Sequence, residues 1–152
     1  MPKIDIASLP VHTGTGYPKQ FHDVVRGRER RRLGDAGGLT QFGVNLTVLR
    51  PGAASALRHW HHNEDEFVYV LEGELVLVED EGETVLGPGD AAAFKAGVGN
   101  GHHLVNRSDR DALLLEIGTR AAQERCEYSD VDLMVEFDET GDRFTRKSGE
   151  PY

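Results

Sequence analysis

From Val44 to Phe137, short apolar and β-branched runs recur at intervals of roughly 8–12 residues, each closed by a turn-forming cluster. Val44–Arg50 stops at Pro51-Gly52, and Phe67–Leu71 and Leu75–Val78 are parted by Glu72-Gly73-Glu74. Asp80-Glu81-Gly82 is a hairpin signal before Thr84–Leu86, and Gly87-Pro88-Gly89-Asp90 is a tight turn before Ala91–Phe94. His102–Asn106, Asp111–Gly118 and Val131–Phe137 complete the series. The 18 glycines favour tight turns and short strands over long helices. This spacing predicts an all-β sandwich or barrel. Only Thr119–Glu127 has helix-forming composition, enough for a couple of turns. The expected organisation is an irregular segment over 1–43, a barrel core over 44–118, and a short helix, one strand and a tail over 119–152.

Charge narrows the function classes. The net charge is −9, and ten acidic residues with no Lys or Arg lie between His59 and Phe94. An acidic domain lacks the basic face that phosphate backbones require, so nucleic acid is not an expected partner. No apolar run approaches the roughly 18 residues of a membrane span. Met1–Pro10 contains Asp5 and no apolar core of signal-peptide length, so the expected location is the cytoplasm. A single Cys126 leaves no internal disulfide and reads as a free thiol. Arg26, Arg28, Arg30, Arg31 and Arg32 form a basic knot in the Gly-broken first segment. It reads as a solvated stretch, or as one that packs on acidic surface of its own chain or a partner subunit.

The chemistry-bearing residues are the histidines. Five of the seven fall in two clusters, His59/His61/His62 and His102/His103. On a strand, His59 and His61 share one face while Trp60 and His62 take the other. Two imidazoles so placed are a natural bidentate grip on a divalent ion. Glu66 opens the next strand in phase with Val68 and Val70. If that face looks inward, its carboxylate needs a compensating cation, which a metal on His59 and His61 would supply.

Gly52-Ala-Ala-Ser-Ala-Leu-Arg-His59-Trp-His61-His-Asn-Glu-Asp-Glu66, ending at Gly73, resembles the first motif of the cupin superfamily. Gly89-Asp90 through Gly97, followed by His102-His-Leu-Val-Asn106, resembles the second. Lys95 stands where the family usually has Pro, and the stretch before His102 is about two residues longer than usual. His102, unlike His103, keeps the family's spacing to Asn106. The resemblance, from about Val44 to Gly118, implies a double-stranded β-helix, a jelly-roll-like barrel of two antiparallel sheets. It also implies one divalent transition metal on His59, His61, Glu66 and His102. Cupins commonly pair as dimers, so a homodimer is expected, with the arginine-bearing segment a contributor.

Four mixed N/O ligands leave open positions on an octahedral ion, as a catalytic site needs. Such donors suit Fe, Mn, Ni, Co or Zn. Two functions follow. One is a metalloenzyme acting on a small oxygen-rich metabolite, as a sugar-phosphate type isomerase or a dioxygenase. The other is a non-catalytic cupin whose metal stabilises the barrel or holds a small ligand. By parity His62, His103, Trp60 and Tyr69 face outward. Lys95 is the best residue outside the ligand set for contacting an anionic substrate, though it also reads as an ordinary loop lysine.

Overall fold

A computed structural model describes residues 2–152. Its strands are β1 (Arg28–Arg32), β2 (Phe42–Leu49), β3 (His59–His61), β4 (Glu66–Glu72), β5 (Leu75–Glu79), β6 (Gly82–Leu86), β7 (Ala91–Phe94), β8 (His103–Val105), β9 (Ala112–Thr119), β10 (Glu124–Tyr128), β11 (Met134–Asp138) and β12 (Gly141–Thr145). One layer is an antiparallel sheet in the order β1-β2-β9-β4-β7. The facing layer is made of β12-β11-β10-β3 and β6-β5-β8. Isolated antiparallel bridges, His59 to His102 and Ala54 to Val105, join these two groups. The fold is thus all-β, as the turn spacing predicts, with the jelly-roll-like double-layer architecture that the cupin resemblance implies.

Period-two alternation decides what lies between the layers. Val68 and Val70 of β4, Ala112 and Leu114 of β9 and Leu49 of β2 point inward and are buried with Leu75, Leu77, Leu86 and Leu104. A second cluster, at the β10–β11 end, gathers Cys126, Tyr128, Leu133 and Val135, with Tyr17 and Phe144 packed against it. The two-cluster core leaves space between them, where the polar inward residues lie. One turn depends on its glycine. Gly73 between β4 and β5 has φ +80°, and a Cβ there would stand 2.7 Å from the Asp111 oxygen and 2.8 Å from Ala112 Cα. Gly73→Ala is expected to destabilise the protein by roughly 2–3 kcal/mol, read as a shift in the urea midpoint, because backbone strain and a backbone clash add.

Two sequence-based expectations are corrected. Thr119–Glu127 is not a helix: Thr119 ends β9, and Glu124–Tyr128 is a strand held between β11 and β3. The region 119–152 therefore contains three further strands rather than a helix and one strand. The first segment is also less irregular than expected. Arg28–Arg32 pairs along β2 and forms the edge of the five-stranded sheet, while His12 bridges Arg30 from outside. Among the described residues no helix is long and apolar enough to cross a membrane.

Candidate metal centre

The barrel brings His59, His61, Glu66 and His102 to one point. β3 supplies the two histidines from one layer, β4 begins with Glu66 on the other, and His102 sits beside His59 through the bridge that closes the facing layer. Glu66 Oε2 lies 2.7 Å from His102 Nε2, 3.4 Å from His59 Nε2 and 3.5 Å from His61 Nε2. Three ring nitrogens thus surround one carboxylate oxygen. The Phe94 ring stacks on His102 at 3.5 Å between centroids and fixes that imidazole's plane.

Hydrogen bonding on the far side of the rings sets which nitrogen is free. His59 Nδ1 donates to the Leu57 carbonyl at 2.7 Å, which leaves Nε2, on the Glu66 side, as the nitrogen that can hold a metal. His61 Nδ1 is buried without a hydrogen-bond partner, and the carboxylates of Glu64 and Glu124 stand 3.8 and 3.9 Å away. That side favours the His61 N–H, leaving its Nε2 lone pair toward the same centre. Lone pairs meeting a carboxylate repel unless a cation sits among them, so the donor set fits a divalent ion. Protons on the same ring nitrogens serve in a cation's place: burial raises the Glu66 pKa, but hydrogen bonds then donated by His102, His59 and His61 outweigh it and hold the carboxyl well below its usual range. Burial holds His102 below its ordinary value, despite Glu66. His61 is raised: burial opposes this, and Glu66, Glu64 and Glu124 prevail.

The structure separates the two downstream histidines. His102 is buried and faces Glu66, whereas His103 turns away and bonds the Ala56 carbonyl at 2.9 Å. His62 packs against Trp60 with the rings tilted by 32° and meets Glu127 at 3.0 Å, outside the cluster. Tyr69 is half-exposed on the outer sheet face. Lys95 and Trp60 line a small side cavity of about 200 Å³ that shares His61, Glu66 and His102 with the main one.

The main cavity, about 790 Å³, opens from the cluster toward β1. Its wall and what stands behind it contain residues that the sequence did not single out as functional. Glu124, which stands behind His61 and outside the cavity lining, is the least expected. Its side chain is fully buried, and it accepts peptide N–H bonds from His62, Asn63 and Arg125, which locks the β3 end behind His61. The alternation Glu124, Cys126, Tyr128 was the available signal. Arg30 makes a bidentate pair with Glu116, Nε to Oε2 at 2.8 Å and Nη2 to Oε1 at 3.0 Å, and Thr47 donates to the same carboxylate at 2.7 Å. The arginine knot therefore does pack on acidic surface of its own chain. Arg28, 8% exposed, bonds only the Ser55 and Gly14 carbonyls, and burial with Arg30 nearby lowers it to about 10. Cys126 is a buried free thiol, pushed up by burial, so it stays protonated.

Known proteins share this architecture. The cupin domain profile matches residues 45–118. The crystal structure of a sugar phosphate isomerase from a cupin superfamily, from Silicibacter pomeroyi, is 54% identical, covers 99% of this chain and 96% of its own, and superposes with a TM-score of 0.97. A protein of Acidithiobacillus ferrooxidans provisionally named a sugar phosphate isomerase is 28% identical over 82% of this chain and 80% of its own, with a TM-score of 0.76. A Mycobacterium tuberculosis protein named β-D-galactosidase is 41% identical over 95 residues, 62% of this chain and 76% of that relative. With both motif regions inside the matched profile and a near-complete match in sequence and shape, the chain belongs to the cupin superfamily.

Proposed function

We propose that this chain is a metal-dependent isomerase of a small sugar-derived hydroxy-carbonyl compound, with one divalent transition metal on His59, His61, Glu66 and His102. The observation that carries the reading is the convergence of three Nε2 atoms on Glu66 Oε2 at the base of a cavity of about 790 Å³. That volume lies within the range of pockets for small metabolites. The names of the Silicibacter pomeroyi and Mycobacterium tuberculosis relatives support a sugar, and the first supports isomerisation. All-N/O donors suit Fe, Mn, Ni, Co or Zn.

The ion would supply Lewis acidity toward neighbouring substrate oxygens. The chain's own residues do the rest. The Leu57 carbonyl and the Phe94 ring hold His59 and His102 in their orientations. Tyr17 and Tyr128 line the same cavity edge to face, and burial raises both phenols, so they remain hydrogen-bond donors at neutral pH. The apolar surround of Phe94 and Leu104 limits water at the reacting carbons. The test is a substrate panel on protein reconstituted with each metal in turn, scoring aldose–ketose interconversion by NMR. Interconversion that depends on added metal supports the reading. Hydrolysis of an aryl β-galactoside without interconversion overturns it in favour of a glycosidase, and retained metal with no turnover overturns it in favour of a small-ligand holder.

A homodimer is part of the same proposal. The outer face of the five-stranded sheet puts Val44, Ile117 and Phe67 in one register row and Leu46, Leu115 and Tyr69 in the next. Phe67 and Tyr69 are 39% and 37% exposed. Charge on this face is confined to the β1 edge, where Arg31 lies beside Leu46 and Glu29 beside Val48, so two copies can cover the apolar rows with these opposite charges left at the rim. Sedimentation equilibrium is expected to give a dimer for the unsubstituted chain and a monomer for Phe67→Glu/Tyr69→Lys. A monomer in both sinks the proposal.

A further inference from the structure

We infer that Arg120 and Arg32, at the mouth of the main cavity, recognise an oxyanion (phosphate or carboxylate) at the far end of the substrate, which lies over a floor made by Gly43 and Gly118. The inference rests on the proposed sugar reading of the cavity and adds the substrate's charge and the residues that select it.

Register supplies the first part. Glu66 pairs with Gly118 across β4–β9, and Gly118 pairs with Gly43 across β9–β2. All three point inward, in phase with the buried Val68, Leu114 and Thr47. Neither glycine is demanded by the backbone. Neither has a positive φ, and a Cβ would meet nothing nearer than 3.5 Å at either position. The missing side chains therefore leave open volume beside Glu66, not a turn. Added at Gly118, a Cβ would lie 3.8 Å from Glu66 Cγ; added at Gly43, it would lie 3.5 Å from Arg120 Nη2. The floor thus joins Glu66 to a guanidinium across two strand spacings, roughly 10 Å. A linear or cyclic sugar bearing a terminal anionic group has about this reach.

Charge supplies the second part. Arg120 pairs with Asp35 and donates to the Leu39 carbonyl at 3.0 Å; Arg32 approaches the same Asp35 at 4.0 Å. Two guanidiniums share one carboxylate. Arg30 is matched by Glu116, and Arg28 behind it has carbonyl partners only. On the β1–β2–β9 wall, four arginines therefore face Glu116 and Asp35. The only other acid lining the cavity away from the histidines is Asp142, on the facing layer. With Glu66 matched by a cation, this wall carries an unbalanced positive charge next to the floor. Arg120 and Arg32 keep 42% and 56% of their side-chain exposure, so both have donors to offer an entering anion.

Isothermal titration with D-galactose 6-phosphate, D-galacturonate and D-galactose tests this, on Mn(II)-treated protein and on Arg120→Ala, Arg32→Ala and Gly43→Leu. At least one anionic sugar is expected to bind roughly 10- to 100-fold tighter than galactose, a margin that Arg120→Ala removes and Arg32→Ala reduces. Gly43→Leu is expected to block the anionic sugars while leaving the melting temperature and the Mn(II) content unchanged. Whether the phosphate or the carboxylate wins names the anion. Equal binding of all three sugars, or an Arg120→Ala variant that keeps the margin, overturns the inference. Failure of the metal reading looks different: unsubstituted protein that takes up no Mn(II) but loses its margin in Arg120→Ala keeps the anion site and loses the isomerase.

Discussion

His59→Ala and His102→Ala are each expected to strip the protein of its divalent ion, lowering affinity by more than ~100-fold and abolishing metal-dependent turnover. The size of the effect follows from the geometry. Removing an outer partner of a metal ligand typically costs about 10- to 100-fold in affinity, and a direct donor contributes more. In this centre no donor is spare, because the three Nε2 atoms and Glu66 Oε2 lie within 3.5 Å of a common point. Metal content after desalting, measured by plasma mass spectrometry, is the first readout. The second is thermal: a ligand held at about 1,000 times its Kd stabilises a fold by roughly 4 kcal/mol, so added metal should raise the unsubstituted melting temperature and leave His59→Ala unmoved. Two companions make the test specific. His103→Ala should keep its metal, since His103 bonds the Ala56 carbonyl away from the cluster. Glu124→Gln should fall between, because it keeps the volume but weakens the acceptor behind His61. Full metal retention in His59→Ala moves the centre elsewhere.

The fold and most of the His/Glu cluster were legible for the same reason: both rest on period-two alternation punctuated by glycine turns. His59 and His61 share a face because they are two apart on a strand, and Glu66 is inward because Val68 and Val70 are. The choice of His102 over His103 rests instead on the cupin motif's spacing to Asn106. What the sequence hid is instructive. β10 alternates correctly, but two of its residues are Glu and a third is Arg, so its composition looks helical while its inward set is Glu124, Cys126 and Tyr128. A buried glutamate is a strong signal only once its three peptide N–H partners are known, and two of these, His62 and Asn63, come from a loop about 60 residues away. β1 was hidden by the same effect. The arginine knot reads as solvated or as packed on acidic surface of its own chain or a partner, without saying on which residues; Arg28 is satisfied by carbonyls and Arg30 by Glu116, 86 residues distant in sequence. Polar residues on the inner face of a barrel cannot be paired from spacing alone, because their partners are set by tertiary register.

Glu116→Ala should be the most damaging single change outside the core and the metal centre, costing about 3 kcal/mol. Breaking a buried ion pair by removing one partner costs ~3–5 kcal/mol, since the survivor is left charged and desolvated. The lower end applies because the Arg30 and Glu116 side chains keep 27% and 16% of their exposure. Two features resist relief of the strain. Arg30 cannot simply lose its proton, and Arg28 already stands beside it without a carboxylate, its pKa depressed to about 10 by burial and then by Arg30. Thr47, fully buried, also loses its acceptor. For a chain of this length the expected drop in melting temperature is roughly 10 °C. The double variant Arg30→Met/Glu116→Leu separates charge from packing. If the stranded guanidinium is the cause, removing both partners should recover most of the loss, as replacing a buried pair by apolar groups often does. A double variant as unstable as Glu116→Ala would instead mean that the pair acts by positioning β1 against β2 and β9. The pair joins the edge strand to the sheet's centre across β2, so it also sets where Arg32 stands at the cavity mouth. Glu116→Ala should therefore weaken anionic-sugar binding even at temperatures where it remains folded.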